Sequence, residues 1–106
     1  MMYLPKLYTQ FAQNYPDIQE KYKQLAEVCR AAGPLDAKVQ ELVMLGIAVG
    51  VNSRGGVMSH TRKALAAGVT QEEITHAILL SLTSSGFSNM MAAMNWADEV
   101  FEQGKP

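Results

Sequence analysis

A chain of 106 residues with 9 Lys plus Arg, 10 Asp plus Glu and a formal net charge of −1 is sized for one domain around one core. Its near balance of charge, with no stretch that interleaves basic and aromatic residues, excludes the electrostatic footprint of a nucleic-acid binder. The single cysteine, Cys29, leaves no internal disulfide, no CxxC pair and no Cys/His cluster for a metal, which predicts a protein of the reducing cytoplasm.

The N-terminal MMYLPKLYTQ has neither a basic n-region nor an apolar h-region, so a signal peptide is not expected. Residues 42–53 are uncharged but shorter than the roughly 17 to 25 residues a membrane span needs. Residues 77–96 are long enough but are broken by Ser81, Thr83, Ser84, Ser85, Gly86, Ser88 and Asn89. Both segments are therefore expected to be buried helices, and no membrane partner is predicted.

No segment alternates apolar and polar residues for long, whereas helical spacing recurs throughout, so the expected class is all-α with about five helices. After a short turn over residues 7–13, Pro16 and Asp17 open a helix with the stripe Ile18, Tyr22, Leu25, Ala26 and Cys29, which Gly33-Pro34 stops. Cys29 lies in that stripe and is expected to pack in the core. Asp36 is a fitting N-cap for the next helix, which runs to about Gly50. From Leu42 onward that helix is apolar on every side and must be covered all round. A chain of this size is hard pressed to do that alone, a first argument for self-association.

Asn52, Ser53, Gly55 and Gly56 predict a turn. A third helix follows to about Ala67 with Gly68 as its stop; Val57, Thr61, Ala64 and Leu65 mark its inner face, and His60 shares it. Thr70 to Glu73 reads as a capping box that starts a fourth helix through Ile74, Ala77, Ile78, Leu80 and Leu82. Ser84-Ser85-Gly86 interrupts it. The last helix carries Phe87, Met90, Met91, Met94, Trp96, Val100 and Phe101 and ends at Gly104.

The residues with chemical potential form the pattern E-x11-S-x2-G-x3-H from Glu41 through Ser53 and Gly56 to His60. Glu41 shares a helical side with Leu45 and Ala48, and a tight turn makes it a neighbour of His60. A carboxylate beside an imidazole can hold the ring and pass a proton; the same pair can equally be a structural hydrogen bond between helices. Ser53 has the residue type of a nucleophile, but a serine just before a Gly-Gly helix start is also a common N-cap. Arg54, Gly55 and Gly56 offer exposed amides, a helix dipole and a guanidinium fork, a possible seat for a small anion or else a solvated turn. Met58 is placed near the same pocket, while His76 is expected on the outside. The other methionines read as adaptable core.

The run Gly33-Pro34-Leu35-Asp36-Ala37-Lys38-Val39-Gln40-Glu41-Leu42, the block from His60 to Ile74 (HTRKALAAGVTQEEI) and Gly86 resemble the carboxymuconolactone decarboxylase family, which also contains the AhpD-like hydroperoxidase proteins. The resemblance implies a single all-α AhpD-like domain over residues 1–106 that assembles with itself, as a homotrimer or homohexamer, with pockets near subunit contacts. It places Glu41 and His60 on the proton-relay glutamate and histidine of the AhpD type, and Ser53 and Gly56 on its two cysteines. A serine hydroxyl lacks the acidity and redox chemistry of a thiolate, which argues against AhpD-type peroxidase or peroxiredoxin-like activity. The expected function is that of a cofactor-free, decarboxylase-like lyase acting on a small anionic carboxylate or lactone. Glu41, His60 and Ser53 are its candidate catalytic residues; Arg54, Gly55, Gly56 and Met58 are its candidate binding residues; no metal is called for. The alternatives are a non-catalytic oligomeric binding module and redox chemistry through Cys29.

Overall fold

The computed structural model describes residues 6–105, all of whose regular structure is helical. The elements are α1 (Lys6–Asn14), α2 (Pro16–Ala31), α3 (Ala37–Gly50), α4 (Arg54–Ala66), α5 (Gln71–Leu79), the single turn α6 (Leu82–Ser85) and α7 (Phe87–Gln103). The all-α expectation holds. The described residues form two compact units that divide between Pro34 and Leu35.

In the first unit, residues 7–13, expected as a turn, form the body of α1. Proline at the start of α2 costs nothing, because that amide has no helical partner in any case. The two helices are tied by the Gln19 side-chain amide, which donates to the Tyr8 hydroxyl at 2.7 Å, and by ring contact between Phe11 and Tyr15. Neither helix contains a buried residue. The apolar stripe of α2 therefore stands exposed at Ile18, Tyr22, Leu25 and Val28, and Cys29 is exposed with it. This corrects the expected core placement of Cys29: helical spacing identifies a stripe but not whether anything lies on it.

The second unit holds the core, in which Leu45, Val49, Val57, Ala64, Ile74, Ile78 and Ala93 are essentially inaccessible. Each fully buried Leu, Ile or Val contributes roughly 1.5–3 kcal/mol of transfer free energy. Helix starts follow the sequence signals. The Asp36 carboxylate accepts from the Val39 amide at 2.9 Å. Thr70 and Glu73 exchange side-chain and backbone bonds in a complete capping box. At the end of α4, Gly68 has φ +94°, and the amides of Val69 and Gly68 return to the carbonyls of Ala64 and Leu65. That is a Schellman motif, in which glycine takes the left-handed position without strain.

The α3–α4 connection uses the same device with asparagine. Asn52 has φ 57°, its amide donates to Val49, and the Ser53 amide donates to Ala48 at 2.9 Å. Ser53 then caps α4 at once, its hydroxyl accepting from the Gly56 amide at 3.0 Å. Two helices joined by so short a link must lie side by side. A further strut is the Asn89 side-chain amide on α7, which donates to the Val49 carbonyl at 2.6 Å.

The chain by itself does not cover α3 all round, as its size led one to expect. The helix α3 is covered on one side only: Glu41, Leu45, Ala48 and Val49 are buried, whereas Val39, Val43, Ile47 and Val51 are exposed, Ile47 at 60%. Leu80, Leu82 and Phe87, which lie in a segment expected to be buried, and Met91, expected as adaptable core, are exposed instead. An apolar position is visible in the sequence, but whether the rest of the chain reaches far enough to cover it is not.

Candidate functional site

Glu41 is four residues before Leu45 and seven before Ala48, so the α3–core contact takes the carboxylate inward with it. It is 4% exposed, and with Thr61 it makes up the buried polar or charged side chains of the described residues. On α4, burial of Val57, Thr61 and Ala64 turns His60 toward α3. Glu41 Oε1 and His60 Nδ1 meet at 3.0 Å. The His60 side chain retains 21% exposure against 5% for that of Glu41. The imidazole thus spans from a buried carboxylate to the molecular surface.

An ionised carboxylate only accepts hydrogen bonds, so it selects the tautomer in which His60 carries its proton on Nδ1 and leaves Nε2 as a lone-pair base. The arrangement is that of a general base held in orientation by a carboxylate. Thr61, next in sequence, is fully buried, and its hydroxyl has no hydrogen-bond partner among the described residues. Nothing in the sequence marked Thr61 as more than a core position.

The structure brings Glu41 and His60 together but not every other residue of the sequence pattern. Arg54 points to α7, where its guanidinium lies 2.8 Å from the Glu99 carboxylate. It precedes His60 by six residues, about 9 Å along the axis and about 120° round the helix. Gly56 contributes its amide to Ser53 rather than to a ligand. A Cβ at Gly56 would stand 2.9 Å from Ser53 Oγ and 3.0 Å from Ala48 Cβ, so absence of a side chain there lets the start of α4 close onto α3. Gly55 has open space around it. Met58 is buried and lies two residues, about 200°, from His60 round α4. Glu99, which engages Arg54, and Asn89, which anchors the α3–α4 turn, escaped the sequence reading because their partners are 45 and 40 residues away.

A model of the carboxymuconolactone decarboxylase family matches residues 16–99, which include α2 through most of α7. The chain belongs to the carboxymuconolactone decarboxylase family. No curated protein and no solved structure matches it. The family match covers both members of the Glu41–His60 pair and the cap at Ser53. No group of three or more His, Cys, Asp and Glu residues is placed to hold a metal among the described residues. No helix among them is long and apolar enough to cross a membrane.

Proposed function

We propose that the protein is a cofactor-free, decarboxylase-like lyase that acts on a small anionic carboxylate or lactone, with Glu41 and His60 transferring the proton. The observation that carries this reading is the 3.0 Å contact between a buried carboxylate and a partly exposed imidazole. Family membership supports a decarboxylase-like or AhpD-like function, and the absence of any cysteine beyond Cys29 in the chain favours the former.

In this proposal, cleavage of the bond to the departing carboxylate leaves its electron pair on the adjacent carbon, delocalised into a neighbouring carbonyl. Protonated Nε2 of His60 delivers a proton to that carbon as CO2 leaves, and Glu41 stabilises the imidazolium before transfer. The imidazole regains its proton from solvent through its exposed edge. Ser53 acts as the helix cap that sets the start of α4, not as a nucleophile. Arg54 can hold a substrate carboxylate only by exchanging Glu99 for it, an affordable step because an exposed ion pair is worth about 0–1 kcal/mol. One substrate touching both Arg54 and His60 must then span about 9 Å. The Gly55 amide is a secondary contact in the same proposal, whereas Met58, buried about 200° round α4 from His60, packs in the interior and is not one.

The proposal extends to assembly. The bare stripe Val39, Val43, Ile47 and Val51 on α3 supports self-association, and the proposed assembly is a homotrimer or homohexamer of a protein working in a reducing cytoplasm. The same stripe favours the second reading, a non-catalytic oligomeric binding module. The decisive experiment is a CO2-release screen over anionic lactones and β-keto carboxylates with wild type, Glu41→Gln and His60→Gln. Turnover that drops at least a hundredfold in both variants supports the lyase. Turnover that survives in them, or none across the panel, favours the binding module.

A further inference from the structure

A second concave surface lies away from the Glu41–His60 pair. Helices α5 and α7 are in contact and border an open groove of about 730 Å³, a volume in the range of small-molecule sites. Its lining comes from these two helices alone, with no residue of α3 or α4. The inner wall is apolar: Met94 and Phe101 are partly buried against the core, Ala97 is buried, and Leu79 supplies an exposed shoulder. The charged residues of the lining are Glu72 and Asp98, with His76 one turn after Glu72, and neither Lys nor Arg contributes to it. The cation nearest to Asp98 in the sequence, Lys105, is bonded to Glu102 at 2.8 Å.

An apolar wall between carboxylates discriminates among occupants by charge. A second copy presenting an apolar face such as that of α3 would cover Glu72 and Asp98 with nothing to pair them, a desolvation cost that disfavours the contact. An anionic molecule meets two like charges. A cation on an apolar body satisfies both parts of the surface: its body lies on Leu79, Met94 and Phe101, its charge faces the carboxylates, and the Phe101 ring attracts a cation by its quadrupole. We propose that the α5–α7 groove binds a small organic cation, a primary ammonium on an aryl or alkyl body. This site would be separate from the proton-transfer pair and independent of its chemistry.

The test is a titration of 15N-labelled protein with phenethylammonium chloride, alongside the neutral 3-phenylpropanol and the anionic 3-phenylpropanoate, followed by amide shifts. The expected result is a set of shifts confined to residues 71–79 and 94–101. Affinity for the ammonium should be about tenfold above that for the alcohol at low salt, and the advantage should shrink as NaCl is raised. The Glu72→Gln/Asp98→Asn variant should lose most of that advantage. If that variant fails to fold, the salt dependence of wild type decides the matter alone. Shifts that fall elsewhere, equal binding of alcohol and ammonium, or equal binding by a folded double variant each overturn the proposal. So do resonances of the groove that respond only to protein concentration or only to a basic helical peptide, which would assign the surface to a second copy or a protein partner.

Discussion

Glu41 Oε1 sits 3.0 Å from His60 Nδ1, joining two helices by a pair in which one member is buried and the other reaches solvent. This contact links fold to chemistry, because the packing that buries Leu45 and Val57 also sets the distance between the two polar groups. Its removal should therefore be felt in stability as well as in turnover. Glu41→Ala is expected to lower unfolding free energy by about 1–3 kcal/mol, since it strips a part-buried imidazole nitrogen of its partner and leaves a void. Glu41→Gln, nearly isosteric, should cost less than Glu41→Ala. Urea denaturation of the pair of variants measures this, and equal costs would mean that the side-chain contact contributes nothing.

Ser53 is expected to behave as a cap. Ser53→Ala should cost about 0.5–2 kcal/mol, and Ser53→Asp should restore most of it, because a carboxylate can accept the Gly56 amide and suits a helix N-terminus. Thermal unfolding of both variants, with turnover measured in parallel, separates capping from nucleophilic action: a nucleophile would lose all activity in Ser53→Asp.

The contact geometry of Gly56 leaves little room for a thiol side chain at that position. Gly56→Cys should destabilise by about 1–3 kcal/mol through the close approach of its Cβ to Ala48 and Ser53. Adding Ala48→Gly should recover part of that loss. Differential scanning calorimetry of Gly56→Cys with and without Ala48→Gly checks the relationship, and absence of any recovery would show that the Ala48 contact is not the cause.

Cys29 is exposed, so it should be modified in the native protein. We expect 5,5′-dithiobis(2-nitrobenzoic acid) to titrate one thiol per chain without denaturant, at a rate within about tenfold of that in 6 M guanidinium. Protection well beyond this would locate Cys29 under an interface between copies, in line with the exposed stripe of α2.

Glu73 should make the start of α5 sensitive to acid. The backbone amide and hydroxyl of Thr70, in that order, hold its carboxyl below the ordinary carboxylate value despite a small opposing effect of desolvation. A depressed folded-state value means that the contribution is present above the unfolded-state titration and is lost as pH falls through the folded one. The Thr70 amide signal, followed by NMR from pH 7 to pH 2, should therefore shift with a midpoint below that of an unstructured glutamate. Glu73→Gln should abolish the transition, and a midpoint at the ordinary value would refute the coupling.

Local signals were written plainly in the chain. Asp36, Ser53, Thr70 with Glu73, Gly68 and Gly104 mark helix boundaries because capping depends on residues within one turn of each other. The Glu41–His60 pair was legible for a related reason: it bridges sequential helices across a short turn, and helical periodicity puts both on inner faces. Exposure of Cys29, Ile47 and Phe87 was not legible, since an apolar stripe looks the same whether it is covered or bare.

The sequence by itself determined helices α2, α3, α4, α5 and α7, most of their ends and the meeting of one carboxylate with one imidazole, all consequences of short-range geometry and period. Tertiary structure alone decided which apolar faces enter the core, that Arg54 turns to Glu99 rather than toward His60, and that α5 and α7 leave an acidic-rimmed groove between them. Those outcomes depend on contacts between residues far apart in the chain, for which spacing carries no information.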